Sequence, residues 1–157
     1  MEQLVYISTA HPDVQDRDIA EIVGVARYRN RAEGVSGLMM YNGRNFMQVL
    51  EGPPAALDAI FGSILADHRH FGIVVLSRDP LDARHFSDWS MGYGREDQIA
   101  GVSEEGDFRL DAETLETALP MGLEAELRGR LLRFPRLADD TPRAAGPSPD
   151  EPGLSAR

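Results

Sequence analysis

A chain of 157 residues with 16 Arg, no Lys and 26 acidic residues carries a net charge of −10. It has room for one ordinary domain and repels nucleic acid and anionic membrane surfaces alike. Hydrophobic residues at 42% are enough for a sizeable core, and the lack of cysteine excludes disulfides, thiolate metal sites, thiol nucleophiles and covalent cysteine adducts to a cofactor.

The start, Met-Glu-Gln-Leu-Val, has no basic region before a long apolar run. No stretch reaches the ~20 apolar residues that span a bilayer, so a cytoplasmic protein is expected. Residues 3–9 predict a first strand, with Leu4, Tyr6 and Ser8 on one face and Val5 and Ile7 on the other. From Val14 to about Arg31, Ile19, Ile22, Val23 and Ala26 recur at helical spacing, with Asp13 and Asp16 as candidate caps. Residues 35–41 and 45–51 flank Asn42-Gly43, a strong hairpin signal because both residues tolerate positive φ. Pro53 and Pro54 open a second helix with Leu57, Ile60, Phe61, Ile64 and Leu65 on one stripe. Residues 72–78 predict a fourth strand. Residues 85–93 predict a fifth, with Phe86, Asp88 and Ser90 opposite His85, Ser87, Trp89, Met91 and Tyr93.

This order predicts an α+β, ferredoxin-like βαββαβ(β) fold: a mixed five-stranded sheet, two helices on one face, and strands one and three as parallel neighbours. The other face, with Val5, Ile7, Met47 and Val49, is left apolar and demands a cover. Residues 111–134, with Leu115, Leu119, Leu123, Leu127, Leu131 and Leu132 around a break at Pro120, predict two short helices for that role; a partner subunit is the alternative. Residues 1–95 carry a net charge of −3 and residues 96–157 a net −7. The division expected is a compact domain over 1–95, a linker and capping helices over 96–137, and a disordered Pro-rich acidic tail over 138–157. In that tail four prolines and a single strongly apolar residue, Leu154, cannot offset the ordering entropy.

Tyr6 and Gln48 are expected side by side on the helix-facing side of the sheet. A buried phenol or carboxamide left unsatisfied costs ~1–3 kcal/mol, so the pair implies either a polar guest or an internal network. On these two residues alone, a structural hydrogen bond between them is the favoured reading. Asn30 near the end of helix one, Arg69 and His70 after helix two, and Trp89 and Met91 on strand five are all expected to point into the cleft between the helices. Singly, each has an ordinary explanation: a helix C-cap for Asn30, a solvated terminus for Arg69 and His70, plain core for Trp89 and Met91.

Together, the stretches LVYIS, ARYRN, GVSGLMMY, FMQVLEGP, DHRH and RHFSDWSMG, in that order along residues 3–93, resemble the BLUF family of flavin-binding blue-light sensors. The resemblance implies a noncovalently held FAD with its isoalloxazine ring edge-on between the two helices. It puts the photoactive tyrosine and glutamine on Tyr6 and Gln48. It puts Asn30 and Arg69 at the ring's two carbonyls, Asp67 near the ribityl chain, His70 beside them, and Ile22 and Ile64 on the ring faces. Ala26 stands where serine is usual, and Arg29 where asparagine or histidine is common.

The implied mechanism is light-driven electron and proton transfer between Tyr6 and flavin through Gln48, with Trp89 or Met91 as switch element. The signal would then pass through strand five and the C-terminal helices to a partner protein, or to self-association through residues 111–134. The expected protein is a stand-alone sensor, neither an enzyme nor a metal site. Three competing readings are a cofactor-free regulatory or dimerisation module, a small acyl-phosphate hydrolase and a flavin reductase. The hydrolase is disfavoured because Thr9-Ala10-His11-Pro12 lacks the glycine and basic residues of a phosphate cradle, and the reductase because no G-x-G-x-x-G run is present.

Overall fold

The computed structural model describes residues 1–87, 89–95 and 106–137. Asp88, residues 96–105 of the expected linker and the expected tail over 138–157 lie outside the described residues. The elements are β1 (Glu2–Ala10), α1 (Asp16–Glu33), β2 (Ser36–Tyr41), β3 (Asn45–Gly52), α2 (Pro54–Ala66), β4 (His70–Pro80), β5 (Gly92–Arg95), β6 (Asp107–Arg109), α3 (Ala112–Ala118) and α4 (Ala125–Arg133). A 3₁₀ turn, Phe134–Arg136, follows α4. The strands form one sheet in the order β4-β1-β3-β2-β5-β6.

The hairpin forms where Asn42-Gly43 puts it. Gly43 adopts φ 87°, and the Asn42 side-chain oxygen accepts the N–H groups of Arg44 and Asn45 at 3.1 and 2.7 Å. Because β3 reverses at that turn, it runs antiparallel to β2, and it is antiparallel to β1 as well. The expected parallel pairing of strands one and three is therefore wrong. The crossover through α1 makes β1 and β2 the parallel pair, and a hairpin strand inserted between them opposes both.

Two further expectations give way. The N-cap of α1 is Gln15 rather than Asp13 or Asp16, and the carboxylate of Asp18 accepts the Gln15 N–H at 2.8 Å. The helix ends at Gly34, whose φ of 68° favours glycine, so Asn30 lies within the helix and is not its C-cap. The fifth strand begins only at Gly92, and a sixth follows at Asp107. Residues 84–87 and 89–91 are not a strand, and the buried carboxylate of Glu51 takes two of the backbone donors there. It accepts His85 N–H at 2.8 Å and Phe86 N–H at 2.7 Å, which would otherwise serve a ladder.

The sheet separates two cores. On one side Leu4, Met39 and Leu50 pack with Ile19, Val23 and Ala26 of α1 and Leu57 and Ile60 of α2. On the other, Val5, Leu38, Met40, Met47 and Val49 meet Phe108, Leu115, Leu119, Leu123, Leu127, Leu131 and Phe134. The chain's own C-terminal helices are the cover, and Leu115 and Leu131 are fully buried in it. An alternating strand with both faces apolar requires a layer on each, and the leucine spacing of 111–134 supplies the second.

Candidate functional site

The cleft between α1 and α2 opens over the centre of the sheet. Its floor is Tyr6 of β1, Met39 of β2, and Phe46 and Gln48 of β3. Ile22, Val25, Ala26 and Arg29 come from α1, Ser63 and Ile64 from α2, and Asp67, Arg69 and His70 from the turn into β4. Nine of the ten residues expected to hold a cofactor line this one cleft. The tenth, Asn30, is one helical turn beyond Ala26 and fully buried. Its Nδ2 donates to the Ser90 carbonyl at 2.9 Å.

Tyr6 and Gln48 are direct cross-strand partners. The Tyr6 hydroxyl donates to Gln48 Oε1, which turns Gln48 Nε2 toward the Met91 sulfur at 3.6 Å. Burial pushes the Tyr6 phenol above its usual range; the nearby Arg29 charge opposes that shift and Asp67 adds to it. The phenol therefore stays protonated and acts as donor. His70 caps this end of the cleft. Its Nε2 donates to the Ile64 carbonyl, an acceptor only, at 2.7 Å, and its Nδ1 lies 2.8 Å from Ser8 Oγ.

At the mouth, the Arg69 guanidinium forks onto Asp67 with Nε–Oδ1 and Nη2–Oδ2 distances of 2.9 and 2.7 Å. This hydrogen bonding holds the Asp67 carboxyl below its ordinary value and raises that of Arg69. Burial pushes the Arg29 guanidinium the other way, below its ordinary value. Among the described residues, Arg29 Nε and Asn30 Oδ1 are buried without a hydrogen-bond partner. Arg29 lines the cleft, and a buried donor left open there beside apolar walls is what a flat heteroaromatic ring with a polar edge would satisfy.

The family described as sensors of blue-light using FAD, BLUF, matches residues 1–92 of the chain. The chain belongs to that family. BLUF domains are photosensors that bind FAD, not catalytic units, and the donor set of this cleft fits that cofactor. Photoactivated adenylate cyclase subunit beta of Euglena gracilis is 39% identical over 101 residues, which cover 63% of this chain and 12% of the relative. The blue light- and temperature-regulated antirepressor BluF of Escherichia coli is 34% identical over 66% of this chain and 27% of its own length. The chain thus spans a small part of these relatives. The solved photo-activated state of BlsA superposes with a TM-score of 0.62 at 26% identity, over 90% of this chain and 98% of that one.

Trp89 is not in the cleft of this BLUF domain. Its indole packs between Phe86 and Phe108, at centroid distances of 6.5 and 6.0 Å, on the cap side of the sheet. A Cβ at Gly92 or Gly106 would collide with that ring. Met91, fully buried, belongs to the helix-side core beside Gln48. Residues two apart share a face only in a strand, and 89–91 is a loop, so the two side chains go to opposite sides.

Four cleft residues escaped the sequence reading. Phe46 precedes Gln48 by two on the same strand, and Met39 is the hairpin partner of Gln48, so strand alternation was signal enough for both. Val25 and Ser63 lie at the exposed rims of their helices and carry no pattern that marks them. Among the described residues no cluster suited to a metal ion exists, and no helix is long and apolar enough to cross a membrane.

Proposed function

We propose that this chain senses blue light by rewiring the hydrogen bonds of Gln48. The reading is carried by one observation: the Tyr6 hydroxyl and the Met91 sulfur hold the two ends of the Gln48 amide at the floor of the cleft. Bound FAD supplies blue-light absorption and an electron acceptor. Tyr6 would be the electron donor, and its hydroxyl proton would have the existing hydrogen bond to Gln48 Oε1 as its path. When electron and proton return to Tyr6, the amide is left rotated or tautomerised. An amide suits this role because its oxygen only accepts and its NH2 only donates, so reorientation swaps both at constant shape.

In this reading Ile22, Ile64 and Ala26 would hold the ring, Asn30, Arg29 and Arg69 would supply its hydrogen bonds, and Asp67 with His70 would hold the ribityl chain. Residues 1–95 are the sensor and 96–137 the linker and cap, in a cytoplasmic protein. Met91, in contact with Gln48, is the first element to feel the change, and Trp89 conveys it to the cap. The output goes to a partner protein or a second copy through 111–134. Because Leu115, Leu119, Leu127 and Leu131 are spent in the core, that contact uses the solvent side of α3 and α4.

The test is the visible spectrum of the FAD-loaded protein before, during and after blue illumination. The expected result is a reversible red shift without bleaching, abolished in Tyr6→Phe and Gln48→Leu. A normal shift in both variants overturns the assigned roles. A protein that takes up no flavin returns the site to a cofactor-free module, and one whose flavin bleaches to the reduced form points to a reductase.

A further inference from the structure

We propose that Arg27 is a positioning residue for signal output: its guanidinium ties the backbone of Met91 to Asp107 of β6 and so carries movement at the light-sensing loop into the C-terminal cap. The inference rests on the photosensory reading above and names the route by which that site would be read out.

Arg27 lies on α1 but outside the cleft. Its Nε donates to the Met91 carbonyl at 2.9 Å, and its Nη2 donates to Asp107 Oδ1 at 3.0 Å. The two ionic side chains are only 18% and 22% exposed, so solvent screens them less than a surface pair. A guanidinium is planar and presents its donors in a fixed fork; two acceptors held by one fork cannot move independently without breaking a charge-assisted hydrogen bond. The acceptor on one side is the backbone of the residue whose sulfur touches Gln48.

The acceptor on the other side is well chosen for transmission. β6 is three residues long, lies at the sheet edge and pairs with β5 alone, and its Phe108 is fully buried in the cap-side core, so a pull on β6 reaches that core. Asp111, just beyond it, N-caps α3 by accepting the Thr114 N–H at 2.8 Å. A second contact converges on the same strand, since Phe108 stacks on Trp89 with ring planes 17° apart. Met91 and Trp89 leave the loop in opposite directions, yet each is linked to β6, one through Arg27 and one directly.

The test uses the full chain loaded with FAD and follows two readouts in darkness and under blue light: the flavin spectrum, and hydrogen–deuterium exchange over residues 107–134. In the unaltered protein, light is expected to produce the red shift and to change exchange in that segment. Asp107→Ala and Arg27→Gln are expected to keep the full red shift and lose the exchange change. Arg27→Lys loses it too, because one ammonium cannot span both acceptors in the fork geometry. Asp107→Asn keeps the acceptor oxygen and retains it. If Arg27→Gln fails to hold flavin, Asp107→Ala decides, since Asp107 lies outside the cleft.

An exchange change that persists in Asp107→Ala beside a normal red shift overturns the inference and leaves the photosensory reading intact. The same holds for an unaltered protein that shifts its spectrum with no change over 107–134. An unaltered protein that never shifts removes both.

Discussion

The two faces of the sheet are made by the same alternating strands and end in opposite condition. On the cap side, Val5, Met47 and Val49 are sealed under Phe108, Leu131 and Phe134. On the helix side, the same strands interrupt Leu4, Met39 and Leu50 with Tyr6 and Gln48, beneath a cleft that their own side chains do not fill. A dry, close-packed face gains stability with every atom it buries. The other face gives up part of that gain by holding the polar pair Tyr6 and Gln48 in its interior. The difference teaches that the closed face carries the domain while the open one works.

The largest expected effect tests the closed face. Phe134→Ala removes a fully buried ring and is expected to cost about 3–5 kcal/mol of unfolding free energy, read by urea denaturation. If it costs less than any cleft substitution, the division of labour between the faces is wrong. Next comes the polar pair. Tyr6→Phe or Gln48→Leu alone strands a buried partner and is expected to cost ~1–3 kcal/mol, whereas the double variant costs less than the sum because both polar groups leave together. Strict additivity would mean the pair is already satisfied by something else.

Smaller effects sharpen the contrast at the edges. Asp111→Ala removes the side-chain cap of α3 and is expected to cost about 1 kcal/mol, leaving the spectrum of the loaded protein unchanged. Asp67→Asn is expected to cost under ~1 kcal/mol at neutral pH, because the pair with Arg69 is part-exposed. The sign of its pH dependence follows from the direction of the shift. Arg69 depresses the folded carboxyl below its ordinary 3.8, so the stabilisation is complete above that value and is lost as pH falls through the depressed one. The gap between Asp67→Asn and the unaltered protein should close on the acid side; a gap that persists at low pH would show that the ion pair is not its source.

Much of the cleft was legible because it rests on local rules. The Asn42-Gly43 turn sets the register of β2 and β3, and strand alternation then puts Phe46 and Gln48 on the helix side. Helical spacing puts Ile22 and Ala26 along one side of α1, and the family resemblance adds Arg29. What failed was decided by contacts distant in the chain. Residues 85–93 alternate like a strand, yet the carboxylate of Glu51, more than thirty positions earlier, claims the amides of His85 and Phe86. Trp89, in the loop that follows, packs in the far core. The parallel pairing of strands one and three failed for a different reason, since strand sense is a property of the crossover and not of either strand.

Periodicity, turn chemistry and composition by themselves determined the secondary elements through β4, the faces of the strands and the need for a second layer. These depend on repeats of two and 3.6 residues and on glycine and asparagine backbone freedom, all of which are local. Only tertiary structure decided which way the Gln48 amide is held, that Met91 and Trp89 part company, and that Arg27 spans Met91 and Asp107. Each depends on side chains that meet across dozens of residues, where a hydrogen bond in a buried setting outweighs the local pattern.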